Sequence, residues 1–197
     1  MKKIKKENNL ILPTTLHLKS LLIKEKHKLE YVNLFKVTLF WLILFIALTT
    51  LISTYFFPIL KISGDSMKPT LNQNDITLCI KKNKYKSKDI IAFYYNNQIL
   101  IKRVIATSFD WVNIDEEGNV YINNVLLKEP YIKLKQKGES DIAYPYQVPE
   151  NSYFVLGDNR ENSIDSRYSV IGSVKNENVI GKVIFNILPI NKLKYIK

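Results

Sequence analysis

The chain has 197 residues, of which 46% are hydrophobic and 24% are charged, and this balance excludes an intrinsically disordered protein. Its 29 Lys and Arg residues outnumber its 18 Asp and Glu residues, which gives a formal net charge of +11 at pH 7. A single cysteine, Cys79, excludes an internal disulfide and a metal site built from cysteines alone. We expect one domain with an appendage, and a buried structural thiol at Cys79.

The first 36 residues are strongly basic and precede an uncharged stretch. Residues 1–36 contain nine Lys and three Glu, whereas residues 37–57 contain no charged side chain. A lysine-rich block beside an apolar stretch is typical of contact with anionic lipid, and it favours a membrane over a nucleic acid as the partner. We therefore expect the chain to contact a lipid bilayer and to bind no nucleic acid.

Residues 37–57 are predicted to be a transmembrane anchor. These 21 uncharged residues span about 30 Å as a helix, which is the thickness of one hydrocarbon core. A cleaved signal peptide would have a shorter apolar region nearer to the N-terminus. The basic flank predicts a single-pass protein of the plasma membrane, with residues 1–36 in the cytoplasm and residues 58–197 outside. Residues 14–34 fit either a helix on the inner leaflet or a poorly ordered tail.

Both histidines, His17 and His27, lie before the predicted anchor. If residues 58–197 are on the other side of the membrane, no imidazole is available there as a general base or a metal ligand. This topology excludes a Ser-His-Asp mechanism and a His-ligated metal in that part of the chain. A serine hydrolase there needs a different base, and lysine is the obvious candidate.

Residues 58–197 are predicted to form one mainly antiparallel β-domain. Runs of β-branched and aromatic residues alternate with polar turn clusters, and no long segment has a helical period. Residues 116–118, Glu-Glu-Gly, predict a hairpin between the strands on either side. The predicted strands are residues 76–81, 90–95, 99–107, 111–115, 119–127, 153–156 and 179–188.

Three segments contain the side chains with catalytic potential. The first, residues 63–71, presents Ser66 two residues after Gly64, whose backbone freedom allows an unusual turn or a close approach of substrate. A serine on such a turn can act as a nucleophile, and its own N–H can help to form an oxyanion hole. An ordinary Asp/Ser turn has the same composition, so this segment alone leaves both interpretations open.

The second segment, residues 100–106, places a lysine in an apolar strand. Because side chains alternate along a strand, Lys102 shares a face with Val104 and Ala106, whereas Arg103 points to the other face. Burial disfavours a charged ammonium and lowers the lysine pKa, which yields a neutral amine able to take a proton from a serine. The alternative is an edge-strand lysine whose ammonium reaches water.

The third segment, residues 157–167, is dense in short polar residues and in charges of both signs. Its Ser163 and Ser166 are candidates for hydrogen bonds to an amine. A solvated loop with Asx turns has the same composition, and the ligand spacing of a calcium loop is absent. The ion pairs that this segment allows join Asp158 or Asp165 to Arg103, Arg160 or Arg167.

Taken together, the three segments resemble the signature boxes of the bacterial type I signal peptidases. The matching stretches are GDSMKPTL (64–71), IKRVIA (101–106) and GDNRENSIDSR (157–167), and the similarity covers residues 58–190 in the same order and spacing. The resemblance implies a mainly β fold, with a single coiled antiparallel β-sheet or barrel-like catalytic domain behind one N-terminal transmembrane helix. It also implies that the enzyme needs no metal and no organic cofactor.

The resemblance implies a role for each matching side chain. Ser66 would be the nucleophile of a serine endopeptidase, and Lys102 would be its general base. Some branches of the family have a serine at the position of Gly64; glycine is typical of the Gram-positive-like branch and leaves the oxyanion to backbone N–H groups, chiefly that of Ser66. Ser163 would bind and orient the Lys102 amine, Met67 would line the site, and ion pairs would involve Arg103, Asp158, Asp165 and Arg167.

The implied function is the removal of signal peptides from exported preproteins, which have small residues one and three positions before the cut. A peptide bound as an added strand directs those two side chains to the same face. Three alternatives stay open: a specialised processing peptidase of a secretion or conjugation system, a self-cleaving Ser-Lys repressor-type protease, and a non-catalytic membrane-tethered binding module. The self-cleaving proteases typically cut Ala-Gly or Cys-Gly bonds, and neither dipeptide occurs in this sequence.

Overall fold

A computed structural model of the chain describes residues 15–189 and 193–196, so residues 1–14 of the predicted basic segment lie outside it. Within these ranges, α1 (Thr15–Phe56) is the one helix that is long and apolar enough to cross a membrane. All of its side chains are exposed. The helix ends just before Phe57 and Pro58, because a residue that precedes proline is disfavoured in the α conformation.

Helix α1 is longer than the predicted anchor. It begins at Thr15 and therefore includes residues 15–34, for which a helix was one of two open alternatives. Their position on a membrane leaflet stays a prediction. The described residues divide into two compact units between Thr50 and Leu51, and the second unit contains every strand among them.

The second unit is mainly β, as predicted, and its strands pair antiparallel throughout the described residues. The strands are β1 (Ile59–Lys61), β2 (Ile76–Ile80), β3 (Ile90–Tyr95), β4 (Gln98–Ala106), β5 (Trp111–Ile114), β6 (Val120–Ile122), β7 (Val125–Leu126), β8 (Tyr146–Gln147), β9 (Ser152–Leu156), β10 (Val174–Lys175), β11 (Val179–Leu188) and β12 (Lys194–Tyr195).

These strands form two sheets where one was expected. An eight-stranded sheet has the order β1-β2-β11-β3-β4-β9-β10, with β12 paired to β11. A four-stranded sheet has the order β7-β6-β5-β8.

The predicted hairpin forms between β5 and β6, where Ile114 pairs with Val120. The stretch predicted as one strand, residues 119–127, is instead two short strands. Asn123 and Asn124 both have left-handed backbones, with φ of 49° and 65°, and such residues fit the tight turn that joins β6 to β7.

The strand that contains Lys102, β4, follows the predicted alternation over most of its length. Val104 packs into a cluster with Ile91 and Val155, on the face that Lys102 shares. Ala106 instead packs into the same cluster as Ile105, so the prediction that it shares a face with Lys102 was wrong. The cause is a register shift between Val104 and Ala106 in the pairing with β9.

The thiol of Cys79 is fully buried in a third apolar cluster, which also contains Met67 and Leu71. Burial raises its pKa to about 12, so the thiol stays protonated and unreactive. Cys79 is therefore a structural residue, as predicted. The same cluster fixes the segment that contains Ser66 to the eight-stranded sheet, because its members Ile62 and Met67 flank the serine's turn.

Candidate active site

The turn that contains Ser66 is set by a glycine before the serine and an apolar residue after it. Gly64 has φ of +87°, a left-handed backbone that favours glycine even though a Cβ there would meet open space. Met67 is only 2% exposed and fastens the turn to the core, and the Leu71 N–H donates to the Met67 carbonyl at 3.0 Å. Ser66 itself is half-buried, which keeps its hydroxyl accessible.

The backbone carbonyl of Ser66 is hydrogen-bonded, whereas its N–H is available to a ligand. Its carbonyl accepts a hydrogen bond from the Asn159 N–H at 2.9 Å, and the Asn159 side chain donates to the Asp65 carbonyl at 3.3 Å. Within the described part of the chain, the Ser66 N–H donates to no acceptor. This donor is therefore free to bind an oxyanion next to the serine hydroxyl.

Lys102 and Ser66 line the same cleft, whose volume is about 210 Å³. Lys102 is only 3% exposed, and its ammonium makes no hydrogen bond or ion pair with another described residue. Burial lowers the pKa of Lys102 to about 8, with a smaller lowering from Arg167, while the carboxylates of Asp165 and Asp158 oppose the shift. The amine is therefore neutral in about half of the molecules at pH 8, where a lysine with the ordinary pKa of 10.5 is almost fully protonated.

The carboxylate of Asp165 is fully buried and organises the third segment. Arg167 donates to it from Nε at 2.8 Å and from Nη2 at 3.0 Å, and the Gly157 N–H donates at 2.9 Å. The Ser163 hydroxyl donates to Asp165 Oδ2 at 2.7 Å, and the expected bond between Ser163 and Lys102 is not among the contacts of the described residues. Because the hydroxyl donates to Asp165, its lone pairs remain available to accept from an amine.

A second buried ion pair joins the three segments. Arg103 binds Asp158 in a bidentate arrangement, with Nε–Oδ1 at 2.8 Å and Nη2–Oδ2 at 2.6 Å. Thr70, on the segment that follows Ser66, also donates to the Asp158 carboxylate. Asp158 thus links the nucleophile turn to strand β4.

A third ion pair, between Arg160 and Glu129, was not among the pairs that the sequence allowed. Glu129 lies in the stretch KEPYI (128–132), and Tyr131 in the same stretch stacks on the Arg103 guanidinium at 3.9 Å. The sequence shows in this stretch only an acidic and an aromatic residue on either side of Pro130, and the burial of Glu129 became evident from the structure. Ser166 binds the Val155 backbone instead of an amine, accepting from its N–H at 2.9 Å.

Gly157 lies at the contact between the third segment and the nucleophile turn. A Cβ at this position would lie 2.2 Å from Ser163 Oγ and 2.7 Å from the Ser66 carbonyl oxygen. Only glycine allows the two segments to approach this closely. The cleft therefore contains the Ser66 hydroxyl, the Lys102 amine with its lowered pKa and the unbonded Ser66 N–H. Acyl transfer from a peptide bond requires these three kinds of group.

Groups of three or more His, Cys, Asp or Glu side chains that could hold a metal ion are absent from the described residues. The three ion pairs of the site are internally matched, since each carboxylate has its own guanidinium. These charges are therefore paired with one another, and the pairs hold the polypeptide segments together.

Comparisons with known proteins find relatives that align with most of this chain. A family model described as signal peptidase, peptidase S26, matches residues 34–188. A signal peptidase I from Bacillus licheniformis is 30% identical over 166 residues, which cover 78% of this chain and 88% of that protein. A signal peptidase I from Leptolyngbya laminosa is 36% identical over 148 residues, which cover 67% of this chain and 69% of that protein. A crystal structure of a signal peptidase I from Enterococcus faecalis V583 is 36% identical, covers 50% of this chain and 96% of that chain, and aligns with a TM-score of 0.43.

Proposed function

Because the chain belongs to the signal peptidase family, peptidase S26, we propose that Ser66 and Lys102 form the dyad with which it cleaves peptide bonds. It is a membrane-anchored serine endopeptidase that removes signal peptides. The observation that carries the proposal is the burial of Lys102, with its pKa lowered to about 8, in the cleft that Ser66 also lines.

The dyad works in two steps. The neutral amine of Lys102 takes the proton as Ser66 Oγ attacks the scissile carbonyl, and the developing oxyanion accepts from the Ser66 N–H. The Lys102 ammonium then returns the proton to the leaving amine of the mature protein. Water, activated by the same neutral amine, hydrolyses the acyl bond to Ser66 and releases the signal peptide.

Ser163, Asp165 and Arg167 are proposed to position Lys102. The hydrogen bond from Ser163 to Asp165 aims the serine's lone pairs away from that carboxylate, and an amine can donate to them. Arg167 keeps the Asp165 charge compensated, so Asp165 raises the Lys102 pKa only in part, against the larger effect of burial. The result is a base whose pKa lies near the working pH.

The proposed substrates are exported preproteins, which bind to the cleft as an extended strand. On one edge, β4 pairs with β3 from Gln98 to Arg103, whereas on the other edge β9 pairs only from Arg103 onward. The edge over residues 98–102 is therefore open to a peptide strand among the described residues. The cleft beside this edge is lined in part by apolar side chains such as Ile101 and Met67, and small apolar residues one and three positions before the cut face the same side of a bound strand.

The proposed orientation keeps residues 1–36 in the cytoplasm and residues 58–197 outside the plasma membrane, with residues 37–57 as the anchor. The support is the block of nine lysines before the uncharged stretch. An enzyme anchored in this way meets a substrate confined to the same bilayer, which raises the effective concentration of each for the other.

The test of the dyad compares Ser66→Ala and Lys102→Ala with wild type on a purified preprotein in detergent micelles. We expect each variant to lose at least about 10³-fold in kcat/KM, as for other nucleophile and base deletions. Exposed residues supply matched controls, Ser169→Ala and Lys128→Ala, which should cleave at the wild-type rate. Cleavage by either dyad variant at the wild-type rate would contradict the role of that residue, whereas a wild-type chain that cleaves no preprotein would favour the binding-module alternative.

A further inference from the structure

A closed ring of buried contacts lies behind the dyad. Asp158 binds Arg103, Arg103 stacks on Tyr131, and the Tyr131 hydroxyl donates to Glu129 Oε1 at 2.8 Å. Glu129 binds Arg160, whose Nε donates to the Gly157 carbonyl at 3.1 Å. Gly157 precedes Asp158 in the chain, so the ring closes through one peptide bond. We call this set the buried ring: Arg103, Glu129, Tyr131, Gly157, Asp158 and Arg160.

Tyr131 is the neutral bridge between the two ion pairs of the buried ring. Its aromatic face lies 3.9 Å from the Arg103 guanidinium, within the range of a cation–π contact. Burial, together with the Glu129 carboxylate, raises the Tyr131 pKa well above its usual value, so the hydroxyl remains a hydrogen-bond donor. Pro130 fixes the backbone between Glu129 and Tyr131, which restricts the directions of both side chains.

The buried ring touches the nucleophile turn at two points. At Gly157, a Cβ would lie 2.7 Å from the Ser66 carbonyl oxygen, so a shift of Gly157 displaces the serine's backbone. At Asp158, the carboxylate accepts a hydrogen bond from Thr70, four residues after Ser66. The ring also includes Arg103, which follows Lys102 in β4. Both members of the dyad are therefore attached to it.

We propose that Tyr131 and Glu129 are positioning residues, which hold Ser66 and Lys102 in register by fixing Gly157, Asp158 and Arg103. Neither side chain lines the cleft shared by the dyad. They therefore contribute to the rate of the chemical step and leave substrate binding unchanged. This inference rests on the proposed dyad function.

The test uses Tyr131→Leu, Tyr131→Phe and Glu129→Gln in the full chain, with kcat and KM measured separately on a preprotein. Tyr131→Leu removes the aromatic face and the hydroxyl, and we expect kcat to fall about tenfold or more while KM changes less than about twofold. Tyr131→Phe keeps the face over Arg103 but removes the hydrogen bond to Glu129, so its kcat should lie between those of Tyr131→Leu and wild type. The combination of Tyr131→Leu with Glu129→Gln should lose less than the product of the single losses, because both belong to one ring.

Tyr121 supplies the matched control. Its hydroxyl also donates to a carboxylate, Asp115 Oδ2 at 3.2 Å, but it belongs to β6 in the four-stranded sheet and not to the buried ring. We expect Tyr121→Leu to leave kcat and KM unchanged. A kcat for Tyr131→Leu within about twofold of wild type, an equal loss in Tyr121→Leu, or a loss confined to KM would overturn the inference.

Two further measurements keep the result unambiguous. Thermal melts identify variants that do not fold; if Tyr131→Leu is one of them, Glu129→Gln decides the question, and an unchanged kcat in that variant overturns the inference. Ser66→Ala is assayed in parallel. An inactive Ser66→Ala beside a fully active Tyr131→Leu rejects the buried ring alone, whereas an active Ser66→Ala rejects the dyad on which the inference depends.

Discussion

The pH dependence of cleavage follows from the environment of Lys102. With a pKa of about 8, the neutral amine makes up about 9% of molecules at pH 7, about 50% at pH 8 and about 91% at pH 9. If the neutral amine is the base, kcat/KM should rise about tenfold from pH 7 to pH 9 and then level off. An unshifted lysine, with a pKa of 10.5, would instead give a rise of about 100-fold over the same interval without a plateau.

The substitution Asp165→Asn tests which charges determine the pKa of Lys102. The Asp165 carboxylate raises the Lys102 pKa and Arg167 lowers it, so removing the carboxylate while the guanidinium remains should lower the pKa further. We expect the midpoint of the rising limb to move to lower pH in this variant, together with a loss of stability. A midpoint that moves to higher pH would refute the reasoning about which charges act on Lys102.

The assay measures initial rates of a short fluorogenic substrate, well below KM, at constant ionic strength from about pH 6 to about pH 10. Lys128→Met controls for the exposed lysines, and its profile should match wild type. A flat profile from about pH 6 to about pH 9 would contradict a lysine base with a pKa of about 8, because the neutral fraction of that amine rises steeply over this interval.

Three further predictions concern stability, the last of them together with activity. The Lys102 pKa is lower in the folded chain than in the unfolded chain, so burial of this lysine destabilises the protein below about pH 8, and the destabilisation is lost as the pH rises toward 10.5. Lys102→Met should therefore raise the free energy of unfolding, measured by chemical denaturation in detergent, by up to about 3 kcal/mol at pH 7 and by much less at pH 10. Asp158→Asn leaves Arg103 buried without its charge partner, and the free energy of unfolding should fall by about 3–5 kcal/mol; a change below about 1 kcal/mol would show that the pair does not hold the segments together. Gly157→Ala forces a methyl group against Ser163 Oγ and the Ser66 carbonyl, so activity should fall sharply with a loss of about 1–3 kcal/mol in stability. Gly172→Ala should also lose about 1–2 kcal/mol, because its φ of +54° is left-handed, but its Cβ meets only the Ser169 carbonyl oxygen at 3.6 Å and activity should stay at the wild-type level.

The longer strands could be predicted from the sequence because each is a run of β-branched and aromatic residues bounded by turn residues. The predicted runs at 76–81, 90–95 and 179–188 correspond to β2, β3 and β11 within one residue at each end. Strands of two or three residues, such as β1, β8 and β10, are too short to show an alternating pattern, and pairing alone defines them. The prediction for Ala106 failed because a register shift reverses the alternation without changing the sequence pattern.

The sequence indicated the groups of the candidate site, but it did not indicate which charges pair. Asp158 and Asp165 each had three arginines available. Asp165 pairs with Arg167, two residues away in the same segment, whereas the pairing of Asp158 with Arg103, 55 residues away, depends on the contact of β4 with β9. Arg160 takes a partner, Glu129, that lies 31 residues away in the chain. Contacts between residues this distant in the sequence follow from the fold, and local composition does not encode them.

The most direct test of the dyad is an NMR titration of Lys102 itself. Lysines labelled with ¹³C at Cε give a signal that is assigned to Lys102 by its absence in the Lys102→Met chain. The proposed mechanism predicts a midpoint of about 8 for this signal. A Lys102 midpoint above about 10 would mean that the amine is protonated at every working pH, and it could not then take the proton from Ser66.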